Sequence, residues 1–347
     1  MARFWFWLTV TLLQVLVPAW AADEEAEEAE EEEAGEEEEA PAKDCPKPEQ
    51  VTVGVYLNNV QSLDLKDHTY ELDAYVWYRW CDPEMDPSLT MEIVIASELW
   101  GHMPTPLYDE PEELEDGTLY QVIHLIGRFS SKMPLHNYPF DVQHVQMVIE
   151  DGRHPASELV YVSDASQPPT ASEHFVLPGY LVGQVGLTVD EHVYPTAFGD
   201  PRATTREPYS RATVSVPLTR PLISQLVKLF VPLLSVVVCA ALMFLLSPSW
   251  VDSRVGVGTT AMLTIVALQM TYNQDLPDVG YLMLMDKVYL VSYVYVLLGL
   301  VVVVRATALV EKGELDAARR LHRLGLGGTA LLYVIAVAAL VQQASVG

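Results

Sequence analysis

From Val51 to about Thr219 the apolar positions recur every second residue, and after Pro221 they run together in long blocks. In "VTVGVYL", Val51, Val53, Val55 and Leu57 alternate with smaller or polar neighbours. "TYELDAYVWYRW" sets Tyr70, Leu72, Ala74, Val76, Tyr78 and Trp80 on one face, and "RATVSV" does the same with Ala212, Val214 and Val216. A period of two is that of a strand with one face turned inward. Turn clusters such as "DPEMDPS", "EDGRHP" and "FGDPRATTREP" separate these runs. Short strands with frequent turn signals predict an antiparallel, immunoglobulin-like β-sandwich of about 170 residues, placed at 45–220.

The blocks after Pro221 predict a four-helix transmembrane domain, 221–347, because each is long enough to cross a bilayer as a helix. The spans fall at about 222–246, 255–274, 281–304 and 326–341. Lys228 is the one charge inside the first, where insertion scales assign about 2.5–3.5 kcal/mol at the bilayer centre. It therefore has to snorkel or face protein. Between the third and fourth spans lie Arg305, Lys312, Arg319, Arg320 and Arg323, whereas "NQDLPDVG" after the second has no Lys or Arg. The positive-inside rule then places the sandwich outside, in a periplasm or beyond a plasma (inner) membrane.

The second block differs from the others. "VGVGTTAMLTIVALQMTYNQ" is rich in Gly and Thr, and Gly256, Thr260, Leu263, Ala267, Met270 and Gln274 share one stripe. Asp252 lies one turn before it and Asp275 just after. Two readings stay open on these residues. In one, a ring of identical helices lines a pore, with Leu263 as a hydrophobic constriction and Asp252 as a carboxylate ring at the inner mouth. In the other, the Thr hydroxyls bond to their own backbone or to neighbouring helices.

Composition divides the rest. The net charge of −27 sits poorly with a chain half apolar until its N-terminus is set apart. Residues 1–21 carry Arg3, an apolar run and Ala19-Trp20-Ala21, the pattern of a signal peptide, or of an uncleaved anchor. Residues 22–44 form an acidic tail, with 13 carboxylates between positions 23 and 39, expected to be disordered and either merely solvated or enriching cations. Cys45 and Cys81 are the two cysteines outside the apolar blocks, a disulfide between them being one option that spacing cannot settle. No metal site, cofactor or nucleic-acid partner is implied, and no G-x-S-x-G, H-E-x-x-H, P-loop or dinucleotide fingerprint points to an enzyme.

Taken in order, these features resemble the pentameric ligand-gated ion channels of the Cys-loop receptor superfamily, in particular their prokaryotic members. The resemblance rests on "WCD" at Trp80–Asp82 for the family's W-x-D, "YPFDVQ" at Tyr138–Gln143 for F-P-F-D-x-Q, "TRP" at Thr219–Pro221, "LPDVGY" after the second span, and the four-span order. It covers nearly everything from Val51 onward. It implies a homopentamer in a lipid bilayer, gated from outside, passing cations if Asp252 outweighs Arg254. It also implies that Tyr138, Pro139, Phe140 and Asp141 rest on the membrane domain, with Asp141 held by Arg220 in a bidentate fork and Pro277 contributing to the same coupling.

The family's loop cysteines would fall at Ser131 and Val145, so that disulfide is absent; ten residues separate Pro221 from Pro232, one more than the family pattern. The family's agonist box implies Tyr194, Tyr209 and Trp100, although the two tyrosines read equally as strand aromatics. An aromatic box suits an amine. The third loop offers His154 and no aromatic, and eight of nine histidines precede the first span, which leaves protons as a competing signal and divalent cations as modulators. A membrane-anchored sensor without conduction is the reading from another class; an anchor needs only one span.

Overall fold

The computed structural model describes residues 45–97, 103–199 and 207–346. The expected signal peptide, the acidic tail and Trp100 therefore lie outside the described residues.

Twelve strands are described: β1 (Glu49–Asp64), β2 (Thr69–Trp80), β3 (Met91–Ile93), β4 (Met103–Pro106), β5 (Glu112–Glu113), β6 (Leu119–Ser130), β7 (Val142–Asp151), β8 (Leu159–Ser163), β9 (Thr170–Ala171), β10 (Leu181–Val182), β11 (Gly186–Val193) and β12 (Pro208–Thr219). One sheet runs β4-β6-β2-β1-β8, with β5 on β6 and β9 on β1; the other runs β10-β12-β7-β3, with β11 on β12. Pairing is antiparallel except at one edge, where β8 and β9 both run parallel to β1. That corrects the purely antiparallel expectation. Side-chain alternation cannot reveal it, because both ladder types place successive residues on opposite faces.

The alternating residues form the core. Val51, Val53 and Val55, and opposite them Tyr70, Ala74, Val76 and Tyr78, are fully buried. On β1 the inward set changes phase after Leu57: the register slips between Leu57 and Asn59, and Val60 is the next buried apolar residue. A bulge moves the following side chains to the other face, so the chain changes sequence phase to keep one apolar face. Gly54 is required by a close approach, since a Cβ there would fall 2.1 Å from the Trp77 ring. That ring donates from Nε1 to Asp164 at 3.0 Å, and Asp164 also meets Arg79 at 3.0 Å. Cys45 and Cys81 are joined by a disulfide, which closes the option left open by the sequence.

Four helices long and apolar enough to cross a membrane follow the sandwich: Leu222–Phe244, Val251–Asn273, Leu284–Glu311 and Leu315–Ala344. The first is not uniform. Leu226–Phe230 is a π turn, placed just before Pro232. A π turn takes up one residue more than an α turn, and Pro232 lacks the N–H that would hold the tighter form. The extra residue between Pro221 and Pro232 is absorbed there, downstream of Arg220. Lys228 lies within this turn and is exposed on the chain, outside the bundle interior.

Three helix boundaries differ from expectation. The second helix begins at Val251 and includes Asp252, the third continues to Glu311, and the fourth starts at Leu315. The basic residues thus sit mostly on helix extensions, because Arg, Lys, Ala and Leu favour helix whether lipid or water surrounds them. The stop comes from Gly313, at φ +80, whose N–H bonds to Val310 O while Glu314 N–H reaches Leu309 O. This is a Schellman cap, which needs a left-handed residue.

Candidate functional site

Three places gather the candidate residues. The first is the junction between sandwich and helices. The β6–β7 turn supplies Leu135, fully buried, with Tyr138 and Phe140 half-buried; together with Leu65 of the β1–β2 turn they pack into the apolar cluster of the helical bundle. Tyr138 meets Tyr272 edge-on at 5.6 Å, Phe140 stacks on Phe230 at 6.0 Å, and His136 stacks on Tyr281 at 3.8 Å. Backbone groups join too: Leu135 N–H donates to the Tyr281 hydroxyl at 3.0 Å, and Leu284 N–H donates to His136 O at 2.9 Å. The apolar weight of this turn covers the tops of the first three spans.

At its centre Arg220 donates from Nη1 to Asp141 Oδ1 at 2.6 Å, with side chains only 4% and 5% exposed. The expected fork is not what forms. Nη2 donates instead to the Tyr180 hydroxyl at 2.9 Å, and the second Asp141 oxygen accepts from Gln143 Nε2. Tyr138 and Tyr180 also present ring faces 4.5 and 4.9 Å from the guanidinium carbon. One arginine thus clamps one carboxylate, one phenol and two rings, which a fork aimed at Asp141 alone would forfeit. Burial alone would lower the affinity of Arg220 for its proton; Asp141, helped by Tyr180 and Tyr138, more than offsets it and holds the pKa above the ordinary value. Burial likewise raises the Tyr138 and Tyr180 phenols, so all three groups keep their protons across the physiological range.

Pro139 is buried in the turn. Pro277 lines a cavity of about 360 Å³ with Gln269, Tyr281 and Asp286, at the outer ends of the second and third spans. Tyr281, four residues on, meets the turn directly through His136 and Leu135. Tyr180, Tyr272 and Tyr281 escaped the sequence reading, although the last two stand at the ends of apolar blocks, a usable signal for an interface.

The second place is the second span. Arg254, Gly258, Ala261, Ile265 and Tyr272 are its buried face. Gly256, Thr260, Leu263, Ala267, Met270 and Gln274 are all exposed, as is Asp252. Leu263 and Met270 are 71% and 66% exposed, large apolar side chains with nothing over them in one chain. Thr259, Thr264 and Thr271 bond to carbonyls of their own helix, which accounts for part of the Thr content without the stripe. Thr260, on the stripe, makes no such bond. Arg254 points the opposite way from Asp252 and is fully buried.

A third group lies at the β11–β12 hairpin. Tyr194 is 6.0 Å from Tyr209, 5.3 Å from Phe198 and 4.6 Å from His192, all edge-on. Its hydroxyl donates to Glu150 Oε2 at 2.7 Å, and Glu150 is also paired with Arg211. Burial and the Glu150 carboxylate raise the Tyr194 phenol. Phe198 is 71% exposed and had not been singled out in the sequence. His154 is bound at 3.0 Å to Asp151 and does not join the rings.

Comparison with known proteins agrees with this architecture. The chain is similar to the γ-aminobutyric acid receptor subunit γ-3 of Homo sapiens, 20% identical over 274 residues, which are 73% of this chain and 56% of the relative. It is 22% identical to the γ-4 subunit of Gallus gallus over 307 residues, 82% of this chain and 65% of that one. It is 23% identical to pH-sensitive chloride channel 2 of Anopheles gambiae over 258 residues, 68% and 42% of the two chains. The chain spans about half the length of the curated relatives it matches. These are receptor subunits and a channel of the Cys-loop superfamily, not enzymes. No family model matches the chain.

Proposed function

We propose that this chain is the subunit of a homopentameric, cation-selective ion channel in a plasma membrane, opened by a small-molecule signal at the extracellular sandwich. The observation that carries the proposal is the uncovered stripe on the second span, opposite a face packed into the bundle. Around a five-fold axis the stripes line a pore, Leu263 closes it, and the junction at Tyr138, Pro139, Phe140, Asp141 and Arg220 transmits the signal. Lipid meets the remaining helix faces.

Cation selectivity is supported by Asp252, exposed at the inner mouth, and by the burial of Arg254, the charge that would oppose it. Reversal potentials in a salt gradient should lie near the cation potential, and Asp252→Asn should move them toward zero. A value near the chloride potential would overturn this part, in keeping with the chloride channel among the relatives.

For the signal, the ring group at Tyr194, Tyr209 and Phe198 supports an amine, with any contribution from Trp100 outside the described residues. At about 0.5–2 kcal/mol per ring, Tyr194→Ala or Tyr209→Ala should weaken amine activation by about 2- to 30-fold. Dose–response curves in patch clamp measure it, and unchanged half-maximal concentrations in both variants would remove the rings from the site. Protons are the second reading, favoured by His192 in the same group and by the pH-sensitive relative.

A further inference from the structure

The cytoplasmic end of the bundle holds a charged group that the proposed conduction path does not use. Arg254, in the first turn of the second span, is fully buried. Its Nε donates to Met243 O at 2.8 Å, at the end of the first span. Its Nη2 lies 2.8 Å from Nδ1 of His322, on the fourth span. The other ring nitrogen of His322, Nε2, meets Phe244 O, and the imidazole lies edge-on to the Phe244 ring at 5.7 Å. Nη1 of Arg254 has no partner among the described residues.

Donor counting fixes the state of the ring. Guanidinium has only donors, so Nδ1 must accept; a carbonyl only accepts, so Nε2 must carry the hydrogen. His322 is therefore neutral in this arrangement. A proton added at Nδ1 takes the lone pair that receives Arg254 and sets two cations against each other in a buried site. Nothing nearby offsets them. The segment Leu242–Phe244 has no titratable side chain, Arg254 is the charged group bonded from the second span, and Arg305 of the third is exposed and cationic. On the fourth span itself Asp316, Arg319, Arg320 and Arg323 are all exposed. His322 is half-buried, within reach of cytoplasmic protons.

We propose that His322 is a proton-binding regulatory site on the cytoplasmic side: its neutral ring ties the second span to the first and fourth, and protonation releases Arg254. Since Asp252 and Gly256 flank Arg254 on the same helix, release alters the inner mouth. That consequence rests on the channel reading; the ring chemistry does not.

The test uses the full chain in lipid nanodiscs with ¹⁵N-labelled histidine. The His322 signals are assigned by their loss in His322→Asn or, should that variant fail to fold, in His322→Gln. The expected result at about pH 7.5 is a neutral imidazole protonated at Nε2, converting to the cation on acidification with loss of the Arg254 guanidinium contact. A ring already cationic, or protonated at Nδ1, at the higher pH would overturn the inference. In inside-out patches, cytoplasmic acid should change current through channels with His322. His322→Asn, whose amide can accept from Arg254 without titrating, should lose that response, and an unchanged response would count against the site. If no variant conducts, the channel reading fails while the nuclear magnetic resonance result still decides the state of His322.

Discussion

Replacing Asp141 with Ala should destabilise the protein by about 3–5 kcal/mol, because it leaves Arg220 buried with its charge unmatched. Arg220→Ala should cost a similar amount from the other side, stranding a carboxylate that is 5% exposed. It also removes the cation from the faces of Tyr138 and Tyr180. The double variant should lose less than the sum of the two, since no buried charge is then left over. Thermal melts of the detergent-solubilised protein give the three values. Additive losses would mean that the two side chains act independently. Asp141→Asn separates packing from charge: it keeps the shape beside Gln143, so a loss of stability there measures the cost of leaving the buried Arg220 charge unmatched. Under the channel proposal the same variants uncouple the sandwich from the pore, and currents fall more than the amount of folded protein does.

Why this pair was legible, and its neighbours were not, follows from where the information lies. Asp141 sits in a short motif with its own spacing, and Arg220 lies directly before an apolar block, so each is marked by its immediate sequence. Tyr180 joins them from 40 residues away, Tyr272 and Tyr281 from beyond the first span. Nothing in the period of two or the apolar blocks ties a tyrosine to a partner at that separation. The strands were readable because burial on one face imposes alternation, as on β2, where every second residue from Tyr70 to Trp80 is buried. The parallel edge of β1 was not, since it depends on long connections and leaves alternation unchanged.

The same distinction explains the helices. An apolar block marks where lipid must be, not where the helix stops, so the ends at Val251, Glu311 and Leu315 fell outside the expected spans. Arg254 is the sharper case. As a charge next to Asp252 it read as evidence against cation selectivity, whereas the structure turns it inward to Met243 and His322. Its direction depends on helix phase set by packing, and His322 lies 68 residues away.

Helix phase is also what gives Leu263 its expected effect. On the stripe its neighbours Thr260 and Ala267 are too short to close a ring, and Gly256 has no side chain at all. Met270 is the rival, seven residues outward, or about 10 Å along the axis. In a ring of five, Leu263 side chains shield one another from water when the pore is shut, at about 1.5–3 kcal/mol for each apolar side chain fully buried. A serine forfeits that contribution and wets the constriction. Because 1.4 kcal/mol is a factor of about ten, even a fraction of it from five subunits should raise the spontaneous open-to-closed ratio more than about tenfold in Leu263→Ser. The side chain is 71% exposed on the single chain, so the bundle loses no packing and folding stability should move by no more than about 0.5 kcal/mol. Leak current without agonist, in patch clamp or an ion-flux assay on proteoliposomes, gives the answer. A leak in Met270→Ser but not in Leu263→Ser would move the gate outward to Met270, and a leak in neither would detach the stripe from gating altogether.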